Sequence, residues 1–309
     1  MLKNQGLLKK VLPILKSPYL LLVPALLFYV LFWLLPVSLS IFESFTTAEG
    51  DLTFQNFVRM VQESKFNRAL INTLLFAIVS LVLQFFLAVM LALLINRKFK
   101  GSKLFLFFMM IPMALPQAAV GVLWTTGLIE FGWLNSILEI SGLQTLMEQG
   151  DLIDGRQSWT TMSGTKALVA LIFIDTWTVL PSVMIIILAG LQNFNDELKE
   201  SALVFGASRS KAIKDIVIPI IKPSIVTALL LRLIAGLQMW LVVVMIFGYQ
   251  RVPFLLERVV YYSSVVSRTD ANYKMAITYS VFTLVLIILV AFAFVRLTSG
   301  KTDWRKADE

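Results

Sequence analysis

Six long apolar runs separated by polar segments dominate the chain. They cover residues 19–45, 69–96, 104–129, 167–190, 223–248 and 275–297. Each run is long enough to cross a bilayer core of about 30 Å as a helix that rises about 1.5 Å per residue. The runs are continuously apolar rather than alternating, which favours helices over the strands of a membrane barrel. The pattern therefore predicts an all-α membrane protein with six transmembrane helices.

The composition agrees with a membrane protein and excludes several kinds of chemistry. Of the 309 residues, 58% are hydrophobic and 15% are charged, whereas a soluble domain has about 25% charged residues. The chain has no Cys and no His, which removes thiolate metal sites, disulfides and the commonest general base. The Gly300-Lys301-Thr302 triplet is not a phosphate loop, because Val295 stands where that motif needs Gly. We predict no catalytic, metal-binding or ATP-binding residues in this chain.

Lys and Arg are distributed unevenly between the two sets of segments that connect the runs. The N-terminal segment, the 97–103 loop, the 191–222 loop and the tail from Arg296 hold 17 of these cations, whereas the three opposite loops hold nine. Positive loops stay on the cytoplasmic side, so the bias predicts both termini inside the plasma membrane. The first run is too long for a signal peptide and is interpreted as a retained helix.

Three parts follow from this topology. Residues 1–18 form a cytoplasmic amphipathic segment, residues 19–297 form the six-helix transmembrane domain with a cytoplasmic loop at 191–222, and residues 298–309 form a cytoplasmic tail.

Polar and Trp side chains within the runs are few, and polar groups at membrane depth commonly mark ligand pathways. The candidates are Gln84, Gln117, Trp124, Asp175, Trp177, Gln238 and Trp240. Amides both donate and accept hydrogen bonds, and aromatic faces pack against C–H surfaces, so this set fits a neutral, hydroxyl-rich ligand such as a sugar. The alternative is that these side chains only hold helices together or sit at the membrane interface. Pro112 and Pro116, just before Gln117, predict a kink that lines a cavity.

The 191–222 loop predicts a helix, a turn and a second helix on the cytoplasmic face. Asn195 can cap the first helix, and Gly206 can supply the left-handed residue that ends it. Ser208 can cap the second helix, which Pro219 is expected to stop. An ordered elbow of this kind is a natural docking surface for a partner protein.

The same loop resembles the EAA loop of the membrane subunits of binding-protein-dependent ABC importers. Glu200-Ser201-Ala202, Gly206, Ile216 and Ile218-Pro219 match that motif in spacing throughout. Further short segments are similar to the carbohydrate-importing branch, akin to the maltose, trehalose and glycerol-phosphate systems. They include Asn72-Thr73, Ile111-Pro112 and the 121–124 and 188–192 segments. Phe205 departs from the branch, which commonly has Asp before the Gly.

The resemblance implies a permease subunit of an ATP-driven sugar importer rather than an enzyme. The expected complex has a second, different permease subunit, two ATPase subunits that bind ATP and Mg, and an external binding protein, with no nucleic acid. The resemblance assigns coupling to the ATPase to Glu200, Ser201, Ala202, Gly206, Ala207, Ser208 and Arg209. The external loops 131–165 and 249–274 are expected to meet the binding protein.

Two alternatives remain open from the sequence. A permease of another ABC-importer branch, for phosphate, polyamine or another small solute, would need pathway charges such as Arg232 for an anion. An ion-coupled secondary carrier would need buried acids, for which Asp175 is the candidate.

Overall fold

The computed structural model describes residues 21–47, 49–267 and 269–298. The predicted N-terminal segment 1–18 and nearly all of the predicted tail lie outside the described residues. The helices, in chain order, are α1 (Val23–Ser44), α2 (Gln55–Gln62), α3 (Phe66–Asn96), α4 (Ser102–Met110), α5 (Gln117–Leu128), α6 (Trp133–Ile140), α7 (Leu143–Gln149), α8 (Gly164–Gln192), α9 (Asp196–Val204), α10 (Arg209–Leu237), α11 (Leu241–Phe247), α12 (Leu255–Val260) and α13 (Asp270–Thr298).

Five of these helices are long and apolar enough to cross a membrane, namely α1, α3, α8, α10 and α13. The α4–α5 region is the sixth candidate, and its two halves are bent by 94°. The prediction of six spans is met when this bent pair is counted as one span. The all-helical prediction is confirmed for the described residues, where the β-pairing is an isolated bridge between Thr46 and Leu52.

The predicted kink in the third run is confirmed at its two prolines. Pro112 opens a short 3₁₀ turn, Leu115 is extended, and Pro116 precedes the first residue of α5. Proline has no backbone N–H and cannot continue the helical hydrogen-bond ladder, so the chain changes direction between them.

The fifth run was predicted to form one span over 223–248, and this prediction is wrong at both ends. α10 begins at Arg209 and ends at Leu237, and residues 241–247 form the separate helix α11. Trp240 has φ −157° and ψ −47°, which interrupts the helix between them. The apolar pattern is continuous across this break because α11 is itself buried, against α5.

Pro219 was expected to stop the second elbow helix, and this expectation is also wrong. The helix passes through Pro219 by way of a π turn at Ile213–Val217, where the N–H of Ile218 bonds to the carbonyl of Ile213. The wider π turn shifts the hydrogen-bond register, so the missing N–H of Pro219 is accommodated within one long helix.

Helices α3, α8 and α10 pack together at the centre of the bundle. Small residues of α3, including Ala77, Ala88 and Ala92, are buried there and let the backbones approach closely. α13 packs on α10, α12 and the second half of α1. α5 and α11 pack through Gly121, where an added Cβ would lie 2.6 Å from Cβ of Met245.

Candidate functional site

The elbow (residues 195–212) folds as the sequence predicts, with a side-chain cap on each helix. Asn195 Oδ1 accepts a hydrogen bond from the N–H of Glu197 at 3.0 Å, and Ser208 Oγ accepts one from the N–H of Lys211 at 3.3 Å. These caps satisfy backbone donors that the first turns of α9 and α10 leave unpaired. The elbow is therefore locally ordered by its own sequence.

The spacing of the motif residues in the elbow corresponds to a Schellman turn at the end of α9. The N–H of Ala207 bonds to the carbonyl of Ala202, and the N–H of Gly206 bonds to the carbonyl of Leu203, both at 3.0 Å. Gly206 has φ +87°, in the left-handed region that this turn requires at its position. Ala202, Gly206 and Ala207 thus define the angle between α9 and α10.

One surface of the elbow is apolar and open. Val204 and Phe205 are 85% and 88% exposed, and Leu198 is about half exposed. Ser201, Ser208 and Arg209 are also exposed. Glu200 and Arg209 line a cavity between α9, α10 and the ends of α3 and α8. The structure therefore brings the predicted coupling residues together on one protruding element, and their role in coupling stays a prediction.

Two of the predicted pathway residues, Gln84 and Asp175, lie in a buried polar cluster that joins α3, α8 and α10. Gln84 Nε2 donates to Asp175 Oδ2 at 2.8 Å, and Arg232 Nε donates to Gln84 Oε1 at 2.5 Å. Arg232 also forms an ion pair with Asp175 and donates to Ser80 Oγ at 3.2 Å. Because each member is satisfied by the others, the cluster suits a structural contact between spans as well as the predicted pathway role.

Two other predicted residues meet in an aromatic cluster. Trp124 of α5 makes edge-on contact with Trp177 of α8, with ring centroids 5.7 Å apart, and it also contacts Trp133 and Phe173. The indole Nε1 of Trp124 is buried and has no hydrogen-bond partner. Trp133 was not among the predicted site residues.

The remaining three predicted residues lie at the two helix breaks. Gln117 is the first residue of α5 and is exposed, Gln238 follows the last residue of α10 and is exposed, and Trp240 precedes α11 and is half-buried. The seven predicted residues therefore separate into a polar cluster, an aromatic cluster and the two breaks. Their role as a pathway stays a prediction.

A second polar cluster, which sequence reasoning missed, lies at the opposite end of the spans from the elbow. Arg258 is 2% exposed, pairs with Glu63 at 2.5 Å, and lies over the ring of Tyr261 with its Cζ 4.5 Å from the centroid. Tyr279 of α13 donates to the second oxygen of Glu63. The partners are about 200 residues apart in sequence, so only the fold reveals the pairing.

Glu257, next to Arg258, is fully buried. Its Oε1 accepts from the N–H of Gln250 at 3.0 Å, whereas its Oε2 has no partner. Burial raises the pKa of the Glu257 carboxyl above its ordinary value, and the Gln250 N–H and the Arg258 charge offset only part of this effect.

Buried Asn and Thr side chains anchor the loops at this end of the spans. Asn72 Nδ2 donates to the carbonyl of Pro253 at 2.9 Å, and Thr73 Oγ1 accepts from the N–H of Leu255 at 3.0 Å. Asn135 Nδ2 donates to the carbonyls of Ile129, Glu130 and Gln157, the last at 2.7 Å, and its Oδ1 accepts from Trp159. Both loops are thus held by buried amide groups.

A family assignment follows from the match over the elbow and the central helices. Residues 84–302 match the family described as "Binding-protein-dependent transport system inner membrane component". The chain belongs to this family. Members are non-enzymatic permease subunits of ABC transporters, so the resemblance drawn from the elbow motif is confirmed, as is the expectation that the chain is not an enzyme.

Relatives of this chain include permease proteins of two named transport systems. It is 28% identical over 240 residues to the trehalose/maltose transport system permease protein MalF of Thermococcus litoralis, which covers 75% of this chain and 77% of that protein. It is 29% identical over 227 residues to the sulfoquinovosyl glycerol transport system permease protein SmoG of Agrobacterium fabrum, covering 71% and 70%.

The fold is similar to that of a solved importer. A chain of the bacterial ABC transporter involved in the import of the acidic polysaccharide alginate superposes with a TM-score of 0.78 at 23% identity, covering 97% of this chain and 99% of that one. A chain of the alginate transporter in complex with its pentasaccharide-bound periplasmic protein superposes with a TM-score of 0.75 at 23% identity, covering 94% and 96%. This binding-protein-dependent permease therefore has the fold of an ABC-importer membrane subunit.

Proposed function

We propose that this chain is one permease subunit of an ATP-driven importer for a sugar, a polyol or an oligosaccharide. It forms half of the translocation pathway and couples to a separate ATPase subunit through the elbow. The elbow carries the proposal: its two capped helices, fixed by the Schellman turn at Gly206, present exposed Val204 and Phe205 to the aqueous side. An ordered element of this kind can transmit movement of a docked partner as a rigid body.

The orientation of the chain follows from its charges. The elbow and the 97–103 loop are on the side rich in Lys and Arg, which we assign to the cytoplasm together with both termini. The loops at 131–165 and 249–274 are then external and meet the substrate-binding protein. The solved alginate transporter supports such a partner, since its complex contains a periplasmic protein.

Three observations support a carbohydrate-like substrate. Relatives of this chain are named as permeases for trehalose/maltose and for sulfoquinovosyl glycerol. Gln117 and Gln238 are exposed at the two helix breaks, and Trp240 lies two residues after Gln238. Non-helical backbone at membrane depth is tolerated where it lines a cavity, so the breaks at 111–116 and 238–240 are the places where a pathway fits best.

The charges within the spans argue against the two alternatives. An anion pathway would use Arg232, and an ion-coupled carrier would use Asp175, but these two side chains are paired with each other. Family membership likewise favours a binding-protein-dependent importer over a secondary carrier.

A second permease subunit, which we take to be a different chain, completes the pathway. In this chain the first span is uncovered: Phe28, Phe32 and Trp33 of α1 are all at least half exposed, whereas the second half of α1 packs on α13. We assign this aromatic surface to contact with the second subunit.

Co-purification tests the proposal. The chain is extracted in a mild detergent together with the proteins encoded beside it, and ATP hydrolysis is measured with candidate binding proteins, each with and without its sugar. We expect an ATPase to co-purify and a sugar-loaded binding protein to stimulate it. A chain that purifies without an ATPase, or an ATPase that no loaded binding protein stimulates, would contradict the proposal.

A further inference from the structure

The elbow encloses a cavity of about 310 Å³ between α9, the start of α10 and the ends of α3 and α8. Its polar lining consists of Asn96, Arg97, Lys199, Glu200 and Arg209. Three cations and one carboxylate give this small space a net positive lining. The charges come from three separate helices or helix ends, so the fold, and not one local run of basic residues, brings them together.

The other walls of the cavity are apolar. Leu191 and Val217 are buried at its base, and Phe194 and Leu203 are half-buried at its sides. A cavity with cations at the opening and an apolar base fits an amphiphilic anion better than a simple ion. The adjoining ends of α3 and α8 are ends of predicted spans, so on the proposed orientation the cavity is at the level of the inner lipid headgroups.

We propose that this cavity binds a glycerol phosphate ester, with the phosphate between Arg97 and Arg209. Guanidinium groups bind phosphate oxygens through paired, charge-assisted hydrogen bonds. The carboxylate of Glu200 and the amide of Asn96 then accept hydrogen bonds from the glycerol hydroxyls, which explains a carboxylate in an otherwise cationic lining. The ester is the headgroup of phosphatidylglycerol from the inner leaflet, or free glycerol phosphate from the cytoplasm.

The assignment of the cavity to the cytoplasmic side rests on the proposed function, but the binding test does not depend on transport. The full chain, with any subunits that co-purify, is stripped of lipid in detergent and titrated with dioleoyl phosphatidylglycerol, dioleoyl phosphatidylcholine or sn-glycerol 3-phosphate. Binding is measured by native mass spectrometry. If no ATPase activity co-purifies with the chain, the proposed function is overturned, but the lipid-binding measurement still stands.

The decisive comparison uses two double variants that each remove two positive charges from the same side of the molecule. Arg97→Gln with Arg209→Gln removes both cavity guanidinium groups, whereas Lys211→Gln with Lys214→Gln removes two exposed cations that do not line the cavity. We expect the arginine variant to bind phosphatidylglycerol roughly 30-fold more weakly and the lysine variant to bind it as the parent does. Equal melting temperatures of the two variants exclude misfolding as the cause.

The titration with sn-glycerol 3-phosphate shows whether the bound ester is a lipid headgroup or a soluble molecule. Arginine-dependent binding of sn-glycerol 3-phosphate without retention of the lipid supports the site and assigns it to a soluble ligand. Equal loss of binding in both double variants, or equal binding of phosphatidylcholine and phosphatidylglycerol, would overturn the site. Loss of all binding when the ATPase is attached would also overturn it, because the ATPase would then fill the cavity.

Discussion

Arg232 of α10 forms an ion pair with Asp175 of α8, and both side chains are more than nine-tenths buried within the spans. Gln84 of α3 bonds to both members of the pair, so one polar cluster connects the three central helices. In lipid, a charge without a partner is costly, which makes each member of the cluster dependent on the others.

Replacing one member of this pair should destabilise the bundle more than replacing both. Asp175→Asn leaves the Arg232 charge buried without its counter-ion, and losing one partner of a buried ion pair costs about 3–5 kcal/mol. The double variant Asp175→Leu with Arg232→Met removes both charges, and we expect it to recover most of this loss. Thermal unfolding of the three proteins in the same detergent measures the difference.

The outcome also separates the two interpretations of Asp175. A single variant as stable as the parent would contradict the role of the pair in holding the helices. If the double variant is stable and sugar uptake is abolished, Asp175 and Arg232 serve the pathway as well as the packing.

The sequence was sufficient for features that depend on neighbouring residues. The spans other than the fifth, with the bent α4–α5 pair counted as one, follow from local hydropathy, and the kink at Pro112 and the caps at Asn195 and Ser208 follow from local hydrogen bonding; these features are confirmed. The position of Gly206 follows in the same way, because the left-handed φ of a Schellman turn favours Gly.

Features that depend on distant parts of the chain could not be predicted. Hydropathy does not reveal the break at Trp240, because α11 is apolar and largely buried, so the apolar run continues from α10 into α11. Passage of α10 through Pro219 depends on a π turn that no residue type specifies. The pairs Arg232–Asp175 and Arg258–Glu63 join residues far apart in sequence, so only the packed helices reveal them.

Gly206→Asp should leave the protein in the membrane and abolish both stimulated ATP hydrolysis and uptake. A side chain at φ +87° strains the Schellman turn and adds a charge on the docking element, and left-handed backbone costs an L-residue about 1–2 kcal/mol. The matched control is Gly101→Asp, at φ +93° with open space around its Cβ and outside the elbow.

Membrane yield, ATPase activity and uptake are compared for these two variants. Uptake by Gly206→Asp at the level of Gly101→Asp would remove the elbow from the coupling mechanism.

The buried carboxyl of Glu257 should make stability depend on pH. Burial raises its pKa, so the folded protein holds this proton more tightly than the unfolded chain does. The stability contributed by the protonated group is therefore lost as pH rises from about 4.5 through the folded-state pKa. Glu257→Gln stays neutral and keeps an acceptor for the N–H of Gln250. The melting temperature of this variant should therefore rise relative to that of the parent between pH 4 and pH 7. A difference that does not change with pH would contradict this.

Single cysteines can test the orientation, because the natural chain has none. Leu152→Cys and Val204→Cys place thiols at exposed positions, 70% and 85% accessible, on opposite ends of the spans. In cells whose plasma membrane is intact, a membrane-impermeant maleimide reaches the external face of the protein only. It should therefore label Cys at 152 and not Cys at 204. After the cells are lysed, both should react. The reverse pattern would invert the proposed topology.

We propose the elbow as the surface on which the ATPase docks, and site-specific crosslinking can test this contact. Phe205→Cys and Ile140→Cys introduce thiols at two side chains of the same exposure, 88%, one on the elbow and one on the 131–165 loop. Each variant is labelled with a benzophenone maleimide in the co-purified complex and irradiated. We predict an adduct with the ATPase from position 205 and none from position 140. No ATPase adduct from position 205, or equal adducts from both positions, would contradict docking of the ATPase at the elbow.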